Sequence, residues 1–341
     1  MRPLRHLEPF KDGLRRFRKR GAPTGLVLMY HRILPPGIDT WRLNVTPEHF
    51  AEHLQVLRST MRPSSLRVLA AGIRSGSVDD RSVVITFDDG YVNNLERGLP
   101  VLEAFDVPAT VFVATGYTGS RREFWWDELE QLLVHEKALP PRLTLQTSSW
   151  HREWETGTGA ASGQDLSDRA DKARPGSRVA LFHDIWSALR ALEENERQDA
   201  LAQIVRWCGV PSSLRPSYRA MTADEVAAMA AHPLMEIGAH TVTHPYLPQL
   251  SPADQHTELV ESRTALSQIV DSPVTSFSYP FGGWLPAIRP LVEDAGFTCA
   301  TTGVERTAWR GDHPLSVPRF MVEDWDGAEF ERRLSEWRRQ H

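Results

Sequence analysis

Cysteine is nearly missing from this 341-residue chain: Cys208 and Cys299 are the whole complement, far apart and outside any CxxC pattern. That excludes a disulfide framework and a thiolate zinc site, so any bound metal must take nitrogen and oxygen ligands. Long apolar runs are also lacking, and nothing approaches the roughly 18 residues that a membrane-spanning helix needs. No apolar stretch follows the basic start, as a secretory signal would require, so export by that route is not expected. The location expected is cytoplasmic, at most peripheral to the inner membrane face. Positive charge is scarce beyond the start. Residues 1–20 hold eight Lys or Arg against two acids, while the whole chain has a net charge of −5. The acidic remainder argues against a nucleic-acid partner. The basic segment reads as a solvated helix or as a weak anchor to an anionic membrane surface.

What is present is an alternation of strands and helices. GLVLMYHRI, from Gly25, suits a buried strand ending at His31. Thr46 then caps a helix with Pro47 in its first position. RSVVITFDDG carries the β-branched block Val83 to Thr86 and ends on two aspartates, and VPATVFVAT is a third strand. The rhythm breaks from about Ser120 to Arg219, where aromatic and helical patterns flank a Gly/Ser/Thr-rich section, so this part reads as an insertion, largely helical and partly flexible. It resumes with a helix capped by Thr222, the strand MEIGAH, a helix, and TSFSYPFG. Such alternation implies an α/β fold with a parallel sheet, open or closed into a barrel.

Three polar clusters end three strands: Asp88-Asp89, His240-x-x-x-His244, and the loop after Tyr279-Pro280-Phe281-Gly282. Parallel α/β folds bind ligands at the carboxyl ends of their strands, so these clusters are candidates for one pocket. Two imidazoles and a carboxylate form a normal ligand set for catalytic Zn²⁺, with Co²⁺ or Ni²⁺ as alternatives. His240 and His244 can face one metal if the chain turns into helix after Ala239, with Thr241 and Thr243 as hydrogen-bond partners behind them. Adjacent aspartates point apart, which lets Asp89 bind metal while Asp88 stays free as a general base. His49 and His53 share the four-residue spacing but lie on an ordinary amphipathic helix, and they read as structural.

TFDDGY, HTVTHP and SYPFG, in this order, resemble the motifs of the polysaccharide deacetylase family, also called the NodB-homology or carbohydrate esterase four family. The resemblance implies a distorted (β/α)₇ barrel over 25–119 and 220–326, preceded by the basic segment 1–24, interrupted by the insertion 120–219 and followed by a helix over 327–341. It also implies a divalent-metal hydrolase that removes N-acetyl groups from an amino sugar in a glycan or glycan precursor. Carried onto this chain, Asp88 is the catalytic base, Asp89, His240 and His244 the metal ligands, and the Phe281 N–H a donor to the oxyanion. The family's third motif usually begins with an arginine that orients the base, where this chain has Ser278; Arg319 in VPRF is the expected replacement. The usual late Leu-x-His that supplies the general acid is also absent. LMYHRI resembles the N-terminal YH segment of the poly-N-acetylglucosamine deacetylase branch, which makes His31 the expected acid and His313 the next candidate. Tyr91, Trp125, Trp126, Trp284 and Trp325 are candidate stacking faces for a sugar ring, and Tyr91, Tyr279 and Trp284 are expected to contact the sugar. The altered motifs keep open a non-catalytic sugar-binding protein of the same fold, or a deacylase of a small or lipid-linked precursor.

Overall fold

The computed structural model describes residues 22–120, 122–135, 137–156, 163, 167–209 and 214–339. The basic segment lies almost wholly outside them. Among the described residues, no helix is long and apolar enough to cross a membrane.

Seven parallel strands carry the fold: β1 Thr24–Tyr30, β2 Ser82–Phe87, β3 Ala109–Val113, β4 Met235–Ala239, β5 Ser276–Ser278, β6 Cys299–Thr301 and β7 Phe320–Met321. They pair in sequence order from β1 to β6. The ring closes because β7 lies parallel to β1, pairing Leu28 with Phe320, while Val317 just before it bridges to Thr301 of β6. This is the distorted barrel that the motifs imply, thinnest at that single bridge and at the one pair, Phe277 with Ala239, that joins β4 to β5.

Strand residues alternate in direction, and here both sides are apolar, as expected for a parallel sheet covered on both faces. Leu28, Tyr30, Ile85, Phe87, Val111 and Val113 join one core cluster with the surrounding helices. Their neighbours Val27, Val84 and Phe112 join another, closed by Leu66, Leu69 and Ile73 of the helix Leu66–Ser75. Gly238 is required beside them, since a Cβ there would stand 2.4 Å from the Phe112 ring. Continued to the strand ends, this second set of alternate positions delivers Asp88, His240 and Ser278, so the residues that fill the barrel below also set the direction of the site above.

The helix Pro47–Thr60 begins as expected, with Thr46 accepting from the His49 backbone N–H. His53 on that helix is fully buried, bonded to the Tyr30 hydroxyl and the Trp325 carbonyl and stacked on Phe330 at 4.0 Å. Burial above all holds its pKa down, from 6.5 to about 4. Its folded value lies below its unfolded one, so its contribution is complete above about pH 6.5 and is lost as pH falls toward 4, an effect on the order of 3 kcal/mol. In thermal or urea unfolding, His53→Gln is expected to be less stable at pH 7 yet to lose less further stability between pH 6.5 and 4; equal acid slopes in both proteins would refute this.

Between β3 and β4 stand the helices Trp125–Leu133, Arg178–Arg190 and Glu194–Cys208, which pack around a separate core of Phe124, Trp125, Phe182, Leu189 and Ile204. A largely helical reading of this stretch misses a β-hairpin, Arg142–Gln146 against His151–Glu155. Its signal is the alternation that buries Leu143 and Leu145 while Arg142, Thr144 and Gln146 stay exposed. Arg152 and the Trp154 indole donate to Asp184, which ties the hairpin to the helix Arg178–Arg190.

Candidate active site

Asp88 and Asp89 follow β2, and the chain turns sharply at once: Asp89 has φ 74° and Gly90 φ 82°. The turn separates the two carboxylates. Both Asp88 oxygens are held by Arg319, Nη1 to Oδ1 and Nη2 to Oδ2 at 2.7 Å each. Arg319 is wholly buried and also donates to Thr86 Oγ1, to the Thr302 carbonyl and to Ser278 Oγ. Ser278 Oγ in turn lies 3.3 Å from Asp88 Oδ2. The serine where the family has arginine therefore leaves room for a guanidinium arriving from the other side of the barrel. Burial alone would raise the Asp88 pKa, but Arg319 foremost, then His240, outweigh it and hold the carboxyl below its ordinary range.

Asp89 faces the histidines. Its Oδ1 is 3.5 Å from His240 Nε2 and 3.3 Å from His244 Nε2, and the two Nε2 atoms are 3.1 Å apart. His240 Nδ1 donates to the Ser278 carbonyl at 2.8 Å, which fixes the ring with Nε2 turned toward Asp89. Burial and the neighbouring imidazole lower the His244 pKa to about 3, so His244 is neutral at ordinary pH. Two imidazoles and a carboxylate converging on one point form a donor set that a cation would satisfy, and the nitrogen and oxygen atoms suit Zn²⁺.

The helix expected after Ala239 does not form. Residues 240–246 make a tight loop with Thr241 at φ 66° and His244 at φ 55°, and this reversal, not helical spacing, brings both rings together. Nor do the threonines back the imidazoles. Thr241 Oγ1 bonds the loop's own backbone at His244 N, and Thr243 Oγ1 bonds Glu258. Glu258, from the helix Pro252–Ile269, also accepts from the Val242 and Thr243 backbone N–H groups and so fixes the loop. A glutamate midway along an amphipathic helix carries no sequence signal of that role.

These groups share a pocket of about 370 Å³. His31, at the end of β1, lines it, and the side-chain Nδ1 is buried with no partner among the described residues. Burial lowers the His31 pKa, against a raising influence of Asp89 and Asp88. Phe281 lines it too, in left-handed backbone at φ 56°, with its ring 4.5 Å from that of His244. Gly282 beside it has φ 64°, and a Cβ there would meet the Gly303 backbone at 2.7 Å.

Of the candidate aromatic walls, Trp126 lines the pocket and the others do not. Tyr279 is fully buried and donates to the Leu315 carbonyl; Tyr91 is fully buried and donates to Asp127. Trp284 packs against the barrel core and does not line the pocket. These three are corrected: the rings lining it are Trp41, Trp126, Trp186 and Phe281. His313 is also away from the pocket, its Nδ1 accepting from the Leu315 N–H.

Comparisons with known proteins bear on the family and the fold. The family model described as polysaccharide deacetylase matches residues 75–138 and 185–300. YxkH of Bacillus subtilis (strain 168), whose name assigns it to the polysaccharide deacetylases, is 26% identical over 113 residues. That match spans 32% of this chain and 38% of YxkH. Among solved structures, the Streptococcus pyogenes deacetylase PplD in complex with acetate has a TM-score of 0.58 at 17% identity, with 93% of this chain and 98% of that one covered. IcaB from Ammonifex degensii has a TM-score of 0.56 at 17% identity, covering 93% and 97%. The BpsB deacetylase domain from Bordetella bronchiseptica has 0.53 at 14% identity, covering 89% and 97%. At these identities the structures speak for the fold alone, but the family model covers more than half of the sequence, Asp89, His240 and His244 included, and the chain belongs to the polysaccharide deacetylase family.

Proposed function

We propose that this protein is a hydrolase that removes the N-acetyl group from an amino sugar in a glycan or glycan precursor, using a divalent metal, Zn²⁺ by the donor set. The observation that carries the reading is the division of the two aspartates: Asp89 converges with His240 and His244, while Asp88, adjacent in sequence, is turned away and clamped by Arg319.

A divalent cation held by Asp89, His240 and His244 would acidify a water molecule and polarise the acetamide carbonyl. Asp88 is the group to take the proton of that water. The Arg319 pair keeps it ionised and aimed, at the expense of some basicity. The Phe281 backbone N–H is assigned as the donor for the developing oxyanion, a role supported by the packing of its ring on His244. Among the described residues, His31 is the one histidine besides His240 and His244 that lines the pocket, and it is assigned to protonate the leaving amine. Trp41, Trp126 and Trp186 offer faces on which a sugar ring can stack. Residues 139–184, outside the family match, add Arg169 and Asp171 to the pocket, so part of the insertion acts as a side wall.

Zinc analysis with acetate release from N-acetylglucosamine oligomers and nucleotide sugars tests the reading; zinc bound without release from any glycan would contradict it. His31→Ala is expected to lower kcat by roughly 10²-fold or more with zinc content unchanged. Near-wild-type turnover would remove His31 from the mechanism.

A further inference from the structure

The arginines near the site are spoken for, with one exception. Arg319 is paired with Asp88, Arg169 with Asp171 and Glu323, Arg32 with Asp127 and Asp39, and Arg197 with Glu194. Arg190 lines the same pocket as the metal-ligand set and has no carboxylate partner among the described residues. It ends the helix Arg178–Arg190, and its Nε is buried without a hydrogen bond. Its guanidinium is held by rings instead, 5.0 Å from the Trp186 centroid, 4.8 Å from Tyr246 and 5.7 Å from Phe281.

Stacking fixes the plane of a guanidinium while leaving its N–H fork unused, and the helix C-terminus eases its charge only in part. Such a group next to a reaction centre is a preorganised receptor for a carboxylate or phosphate, which it can meet with two parallel N–H···O bonds. Phe281 joins the two sites physically: the residue whose ring lies under Arg190 is also the one whose ring packs on His244. Arg190 further lines an adjoining cavity of about 220 Å³ with Tyr246, Glu193 and Glu194, so the substrate face does not end at the metal ligands.

Resting on the deacetylase reading, we propose that Arg190 selects an N-acetylated amino sugar that carries an anionic substituent, a phosphate or a carboxylate, and positions it by that anion. Two arms test this on the full chain. In the kinetic arm, the zinc-loaded protein is given N-acetylglucosamine 6-phosphate, 2-acetamido-2-deoxyglucuronic acid and neutral N-acetylglucosamine. The anionic-to-neutral ratio of kcat/KM is expected to exceed one and to fall roughly ten- to hundred-fold in Arg190→Gln, with partial recovery in Arg190→Lys. That ratio does not depend on how much of a variant is folded, and the better of the two acids names the anion. A ratio unchanged by the substitution, or a wild type that prefers the neutral sugar, overturns the proposal. In the binding arm, calorimetry with glucosamine 6-phosphate, 2-amino-2-deoxyglucuronic acid and glucosamine, none of which carries an acetyl group, must give tighter binding of an anionic sugar that Arg190→Gln abolishes. If no sugar releases acetate, the deacetylase reading fails on the first arm, while the second still decides for or against the anion site.

Discussion

Asp88→Asn is expected to bind zinc at the wild-type stoichiometry and to lose at least about 10³-fold in kcat. Asp88 lies outside the converging set of Asp89, His240 and His244, so the ligands survive its neutralisation. Asparagine is nearly isosteric, but its amide cannot take up a proton from water, and general-base contributions run to about 10²–10⁴. The cost also shows in stability. An asparagine offers Arg319 one acceptor where aspartate offered two, and the guanidinium, wholly buried, is left short of both a hydrogen bond and a countercharge. A lower unfolding temperature should therefore accompany the loss of turnover. Zinc retention distinguishes this from general collapse of the site, and a kcat within tenfold of wild type would remove Asp88 from the base role.

The second large effect is expected at Arg319. In Arg319→Ala, Asp88 keeps its buried position but loses both charge-assisted bonds, and breaking a buried pair from one side costs about 3–5 kcal/mol. Without the guanidinium, burial raises the Asp88 pKa, so a smaller fraction is ionised at a given pH and the acid limb of kcat/KM moves to higher pH. The expected loss in kcat/KM is roughly 10²-fold at neutral pH and greater below it. Arg319→Lys restores charge but not the two-pronged geometry, and should recover stability more than activity. Unchanged kcat/KM in Arg319→Ala would sink the positioning role.

Both predictions concern residues of unequal visibility in the sequence. Asp88, Asp89, His240 and His244 are legible because each pair is contiguous or nearly so, and because a strand end announces where it will point. Arg319 lies 231 positions from Asp88 and can be reached from sequence only by asking what could stand in for a missing arginine. Tyr279 shows why adjacency misleads. It follows Ser278 directly, but consecutive residues of an extended chain face opposite sides, so Ser278 meets Asp88 while the Tyr279 ring goes to the core. The same parity governs Tyr30 and His31. Trp41, Trp186 and Arg190 left no local mark, since they reach the pocket from a loop and a helix whose approach is a property of tertiary packing. The hairpin at 142–155 was legible in principle from its alternation, and the polar composition around it concealed it.

The central claim, that Asp89, His240 and His244 hold the metal on which acetyl removal depends, is tested most directly by stripping the protein of metal and returning Zn²⁺ in measured steps while following acetate release from N-acetylglucosamine oligomers and the sugars above. The stripped protein should release none, recovery should saturate at one equivalent, and His240→Ala should lose both tight zinc binding and recovery. Full activity in the presence of chelator, or one equivalent of zinc bound with no acetate released from any sugar, would contradict it.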